Sequence, residues 1–363
     1  MPHITRAAVA FSPHEPMRLC EVSVADPGPG QVLVRFIATG LCHSDLHVLH
    51  GTFAQKFPAI LGHEGIGEIV EVGPGVTDFA PGDRVMPYLV PDCGECDFCR
   101  SGKTNFCARF AERRMSDETP FSLDGQPVHP FMGIGSFAEL SVIHADMITR
   151  VSPEARPDQA CCIACGVTTG IGAATITAGV GPGSSVAVFG AGGVGLSVVQ
   201  GARLAGADKI IVVDRNPAKE EVARLSGGTH FIVAGGEEAP VRQIRRLAPP
   251  GVDYGFECVG IPDLMADVVA ATNPAWGVAV CVGLMPDRSD FSIPTGNIST
   301  GRTMKGSLMG GAKRQDVARF VEMFVRGDYS LDHIVSHTLT LDQINHGFDM
   351  MVSGEAVRSV VIY

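Results

Sequence analysis

Ser185-Val186-Ala187-Val188-Phe189-Gly190-Ala191-Gly192-Gly193-Val194-Gly195 opens as a run of small and β-branched residues and closes as G-x-G-x-x-G. The first five residues read as a buried strand, and the glycines fall where that strand turns into a helix over residues 193–205. Glycines here permit a tight turn and close approach of a pyrophosphate, whose charge the free N–H groups at the helix start favour. Gly190, Gly192, Gly193, Val194 and Gly195 are therefore candidate cofactor contacts. A second strand over 209–213 ends at Asp214, about twenty residues on, where an acidic residue accepts hydrogen bonds from ribose hydroxyls. A carboxylate there repels a 2′-phosphate, so NAD is expected over NADP. Arg215 beside it pulls the other way, and Lys219, one helical turn further, is placed to hold the ribose.

Outward from this turn the rhythm of strand and helix continues, with strands expected over 254–258 and 278–282 and a parallel sheet reaching about residue 308. Upstream the pattern is different. Short β runs over 32–37, 66–72 and 84–90 are bounded by Pro27-Gly28-Pro29-Gly30, Gly73-Pro74-Gly75 and Pro81-Gly82-Asp83, which reads as a β-rich, partly barrel-like module. A helix over 315–326 and a strand over 358–363 close the chain, the strand returning to the first module. No internal repeat or low-complexity tract is present.

The chain has 363 residues, which suggests about two domains. Its 28 Lys and Arg against 39 Asp and Glu leave a net charge of −11, so there is no basic field for a nucleic-acid partner. No leader-like segment follows Met1, and no run of 18 or more apolar residues is free of Gly, Pro or charge. No membrane partner and a cytoplasmic location are expected. Six of the eleven cysteines fall in metal-like settings, and Cys20, Cys161, Cys162, Cys258 and Cys281 are scattered, which fits a reducing compartment rather than a disulfide framework.

Cys93-x-x-Cys96-x-x-Cys99 is followed after seven residues by Cys107, with Gly94, Gly102 and Asn105 letting the chain wrap. Four soft ligands suit tetrahedral zinc. An iron–sulfur site begins the same way but places its fourth cysteine after three residues and follows it with proline, whereas Ala108 follows here. With four protein ligands no coordination position is left open, so this metal would brace a lobe over 92–108 and do no chemistry.

Three further segments carry ligand-type residues: Gly40-Leu41-Cys42-His43-Ser44-Asp45, Gly62-His63-Glu64 and Cys165-Gly166-Val167-Thr168-Thr169-Gly170. Together with the four-cysteine lobe, the glycine turn and the closing Gly354-Glu355-Ala356-Val357-Arg358, in this order, the sequence closely resembles the zinc-containing alcohol dehydrogenases of the medium-chain dehydrogenase/reductase family, from about Val32 to Tyr363. The resemblance implies an α/β fold of two parts. A GroES-like β-rich catalytic domain would take residues 1–166 and 309–363, and a Rossmann doubly wound parallel-sheet NAD-binding domain would take 167–308, with the active site in the cleft. It also implies two zinc ions per subunit and NAD(H).

In that resemblance Cys42, His63 and Cys165 hold the catalytic zinc with a fourth position open to the substrate oxygen, the arrangement in which the metal acts as a Lewis acid on an alcohol. Ser44 takes the alcohol's proton and passes it through the cofactor ribose to His47. Asp45 orients the His63 ring, and Glu64 stands behind the metal. His43 and Arg358 match pyrophosphate contacts, the histidine standing where many relatives carry arginine. Thr169 and Val194 match residues behind the nicotinamide.

Alignment of flanking motifs lines the substrate channel with Phe53, Leu89, Met132 and Leu284, all apolar, which fits a hydrophobic primary alcohol: aryl, allylic or medium-chain aliphatic. The competing enzyme reading is a thiol-dependent formaldehyde dehydrogenase acting on an S-hydroxymethyl thiol, for which Arg113 and Arg114 would meet a carboxylate. A catalytically silent NAD-binding redox sensor would have lost a zinc ligand. The long stretch from Cys107 to Phe131 suggests a homodimer, joined through an edge strand of the NAD domain around residues 276–284.

Overall fold

A computed structural model describes residues 3–114, 116–285 and 289–363. The chain divides into two compact units, Met1–Cys165 with Lys313–Tyr363, and Gly166–Ala312.

The second unit is built on six parallel strands in the order His230–Val233, Lys209–Asp214, Ser185–Phe189, Tyr254–Glu257, Val278–Cys281 and Thr303–Gly306. The order reverses beside Ser185–Phe189, which pairs with Lys209–Asp214 on one side and Tyr254–Glu257 on the other. Such a switch point opens a crevice beyond the carboxyl ends of the strands, where nucleotides bind in doubly wound sheets. The strands are buried on both faces, so they read as unbroken apolar runs such as Ile210, Ile211, Val212 and Val213. The helix Gly193–Leu204 follows the glycine turn at once. It packs against Gly166–Gly172, where Gly170 and Gly201 bring the two backbones together; a Cβ on Gly201 would lie 2.9 Å from the Ile171 Cα.

Two expectations are corrected here. The strand Val278–Cys281 is internal, paired with Tyr254–Glu257 and with Thr303–Gly306. Among the described residues the edge on this side therefore lies at Thr303–Gly306 and not over 276–284, because a further strand follows and adds beyond it, and His230–Val233 forms the opposite edge. The run expected over 84–90 forms a strand only as Arg84–Pro87. Pro87 has no N–H to give to a ladder, and beyond it one bond, from the Tyr88 N–H to the Met147 carbonyl at 2.7 Å, carries the register one step further.

The first unit holds a closed barrel of His3–Ala10, Arg18–Val24, Phe121–Leu123, Gln126–Pro130 and Ala59–Ile60, beside a larger sheet. In that sheet Gln31–Gly40 is central. It pairs antiparallel with Glu64–Val72, with Leu140–His144 and with the closing strand Arg358–Ile362. The chain end thus returns to the first module, with Val360 and Val361 fully buried. No single helix among the described residues is long and apolar enough to cross a membrane.

Candidate active site

Strand register brings the first two candidate ligands together. Gly40 pairs with Glu64, so Cys42 and His63 emerge from the same end of the ladder although 21 positions separate them. Cys42 caps the short helix His43–Leu49, and the turn Cys161–Ala164 delivers Cys165. Gly62 sits at φ +86°, where a side chain would run into Phe137 and Ser136, so only glycine allows the sharp entry into His63.

Ligand atoms of Cys42, His63, Glu64 and Cys165 all lie within 4.8 Å of one another, and all four residues are buried. Asp45, itself without exposure, organises three of the surrounding groups. Its Oδ1 accepts from the Gly62 N–H at 2.9 Å and lies 3.3 Å from His63 Nδ1, and its Oδ2 accepts from the Cys42 N–H at 3.3 Å. The His63 ring therefore donates from Nδ1, and in its neutral form keeps its lone pair on Nε2. Nε2 is buried and has no hydrogen-bond partner. A buried ring nitrogen within 4.8 Å of two thiol sulfurs is placed as a ligand atom once its proton is displaced, so the residues fit zinc.

The charges agree. The Cys165 hydrogen bond and the nearby His63 hold the Cys42 thiol well below its ordinary range against the opposing effect of burial, while the same contact pushes the Cys165 thiol up. Burial opposes charging of His63, but Asp45 and Cys42 outweigh it and raise its pKa. The cluster thus holds protons that a dication would displace. Behind it Arg358 donates to Glu64 Oε1 at 2.9 Å and to the Leu41 carbonyl at 2.7 Å. Both terminal nitrogens serve this unit, a bracing role that sequence reasoning did not assign to Arg358.

Ser44 Oγ lies 3.7 Å from the Cys42 sulfur. His47 stands in the last turn of the same helix, and burial moves its pKa below the ordinary histidine value. His43 is exposed at the helix start. Phe131, fully buried, stacks edge-on against the His63 ring at 5.5 Å and against Phe53 at 5.8 Å. No motif marked Phe131, since an aromatic residue in a β-rich stretch reads as ordinary core. Leu89 and Met132 are also buried in this unit, whereas Leu284 belongs to the other unit and is 47 % exposed. Arg114 places its guanidinium 4.2 Å over the Phe53 ring. Arg113 is engaged with Asp146 and His144.

The second cysteine cluster is equally compact: Cys93, Cys96, Cys99 and Cys107 have sulfurs within 4.8 Å of one another. Backbone N–H groups of Cys96 and Cys99 donate to the sulfurs of Cys93 and Cys96, both at 3.4 Å. Backbone donors, Ala108 foremost, lower the Cys96 thiol to about 6. All eleven cysteines are free of disulfides. In the other unit Asp214 accepts from the Ala191 N–H at 2.7 Å, which ties the acid to the glycine turn, and Lys219 lies 3.6 Å away. Arg215 is exposed, and Thr169 Oγ1 contacts the Met309 sulfur at 3.6 Å.

Residues 28–153 match the alcohol dehydrogenase GroES-like domain family, and residues 193–326 match the zinc-binding dehydrogenase family. The chain is a zinc-containing medium-chain alcohol dehydrogenase. Among curated relatives of this family, S-(hydroxymethyl)glutathione dehydrogenase of Escherichia coli O1:K1 is 43 % identical over 367 aligned residues, covering 99 % of this chain and all of the relative. Among solved structures, an alcohol dehydrogenase zinc-binding domain protein from Burkholderia ambifaria superposes with a TM-score of 0.95 at 31 % identity, covering 100 % of this chain and 99 % of the other. Benzyl alcohol dehydrogenase from Acinetobacter calcoaceticus gives 0.93 at 28 % identity, with 99 % of each chain covered.

Proposed function

We propose that this alcohol dehydrogenase catalyses reversible hydride transfer between a hydrophobic primary alcohol and NAD. The observation that carries the reading is the bare, buried Nε2 of His63 facing the thiols of Cys42 and Cys165. Zinc held by these three residues supplies Lewis acidity toward an alcohol oxygen, and NAD the hydride acceptor. Asp45 holds the His63 ring in its ligating orientation. Ser44 receives the alcohol's proton beside Cys42, and His47 takes it onward to solvent. Cys93, Cys96, Cys99 and Cys107 hold a second, structural zinc. Asp214, fixed at the glycine turn, supports NAD over NADP. His43, Thr169 and Val194 complete the cofactor contacts, while Arg358, expected there too, is buried and spends both terminal nitrogens on Glu64 and the Leu41 carbonyl.

The apolar character of Phe53, Leu89, Phe131 and Met132, with Phe53 edge-on to Phe131, supports an aryl, allylic or medium-chain alcohol. A second reading, oxidation of an S-hydroxymethyl thiol, is supported by the names of relatives at 43 % identity, and Arg114, which lies over Phe53 and donates to the Ala54 carbonyl at 3.1 Å, is the cation at that ring in this reading. NADH formation by zinc-replete protein separates the two. Turnover of benzyl alcohol and hexanol supports the first reading, and activity confined to formaldehyde plus glutathione replaces it with the second. Because the His47 pKa lies below the ordinary value of 6.5, its base form persists at neutral pH. The expected kcat/KM is level through pH 7 and falls as pH drops through the lowered pKa, and His47→Gln removes that limb.

A further inference from the structure

His47 has a neighbour that the relay as described does not use. The carbonyl of His47 lies at the open end of helix His43–Leu49, and it accepts from the Thr52 N–H at 2.9 Å and the Phe53 N–H at 3.2 Å. Thr52 folds back over the same helix end. Its hydroxyl lies 3.1 Å from the His47 carbonyl oxygen and 3.0 Å from the ring atom Nδ1 of His47.

A hydroxyl has one proton to give, and a carbonyl oxygen can only accept. For both contacts to be hydrogen bonds, the Thr52 proton must go to the carbonyl and its lone pair must face a proton on Nδ1. The reverse pattern, with the hydroxyl donating to Nδ1, leaves two oxygens facing each other without a proton between them. A neutral imidazole carries one N–H, so a proton on Nδ1 leaves Nε2 bare.

We propose that Thr52 is a positioning residue that holds neutral His47 as the Nδ1–H tautomer, keeping Nε2 as the atom that accepts the proton released by the alcohol. This rests on the relay reading of His47. One proton arrives on Nε2 to give the imidazolium and leaves again to solvent. The proton on Nδ1 stays throughout, and its bond to Thr52 becomes charge-assisted while the ring is cationic. The charged and titratable groups acting on the ring are Cys42, which favours the cation, and His50, which opposes it. His14 stands across the turn, its Nε2 3.6 Å from where a Cβ on Gly51 would be. None of these offers Nδ1 a hydrogen-bond acceptor; Thr52 does.

Nitrogen-15 spectra of histidine-labelled protein, loaded with zinc and NAD, read the tautomer directly, with His47 assigned by its loss in His47→Gln. The wild type above neutral pH is expected to show a protonated Nδ1 and a bare Nε2. Thr52→Val is expected to lose that bias and to lower kcat at pH 7 about three- to tenfold, a fraction of what a general base contributes, while Thr52→Ser restores both. An Nε2–H ring in the wild type, or a Thr52→Val protein with unchanged tautomer and kcat, would overturn the inference even if His47→Gln alters the pH profile. An unchanged profile in His47→Gln would instead overturn the relay itself, and this inference with it.

Discussion

At the scale of single residues, Asp45 has the widest reach for its size. One carboxylate, with no exposure, ties the backbone of Cys42, the backbone of Gly62 and the ring of His63 into one unit. An amide in its place keeps the shape but gives up the charge, and its nitrogen end cannot accept. Outer-shell partners of this kind contribute about 10- to 100-fold to metal affinity. Asp45→Asn is therefore expected to lose the zinc bound at Cys42, His63 and Cys165 to a chelator at concentrations that spare the wild type. The four-cysteine lobe should keep its ion, so zinc content should settle at one equivalent per chain. Loss of both ions together would show that Asp45 serves the whole fold. Cys42, His63 and Cys165 were proposed as ligands through the family resemblance, because single cysteines and histidines far apart in sequence read as ordinary core until several ordered motifs are taken together. Phe131 and Thr52 were not legible in the sequence, because their parts depend on what lies next to them in space.

At the scale of elements, the glycine turn shows how a local pattern becomes a rigid object. Gly190 sits at φ +102°, and a Cβ on Gly195 would overlap the carbonyl oxygen of Gly190. The turn and the first helical residues are thus in direct backbone contact, with Asp214 locking the far side through the Ala191 N–H. Gly195→Ala must open this turn while leaving the sheet behind it paired. The expected outcome is a native-like circular dichroism spectrum with NADH affinity reduced at least about tenfold, equivalent to about 1.4 kcal/mol, measured by fluorescence titration. Unchanged affinity would mean that the turn relaxes without disturbing the cofactor site. The strand and helix of this element were read from sequence to within a residue, since a buried parallel strand followed by glycines has few other solutions. The early strand at Arg84–Pro87 was overextended because apolar residues continue past the proline that ends the ladder.

At the scale of the whole molecule, Arg358 fastens the last strand to the first half of the chain. Its partner Glu64 is 294 positions away, and the pair is 6 % and 0 % exposed. Removing one member of a buried pair leaves the other charge without compensation, which costs about 3–5 kcal/mol. Arg358→Met is expected to lower stability by that amount in urea unfolding, and Glu64→Gln combined with Arg358→Met should recover most of it. If the double variant is no more stable than the single one, the loss reflects packing of the closing strand and not the orphaned carboxylate.

Two kinds of information separate cleanly in this protein. The glycine turn and the four-cysteine lobe could be read along the chain, because each depends on backbone freedom or ligand chemistry within a short span, while Cys42, His63 and Cys165 came from the order of motifs shared with a known family. Which strand lies at the sheet edge, which atom of His63 is bare and which acid pairs with Arg358 could not. These depend on register, burial and pairing between residues tens to hundreds of positions apart, and such neighbours are chosen when the sheets close, not when the sequence is written.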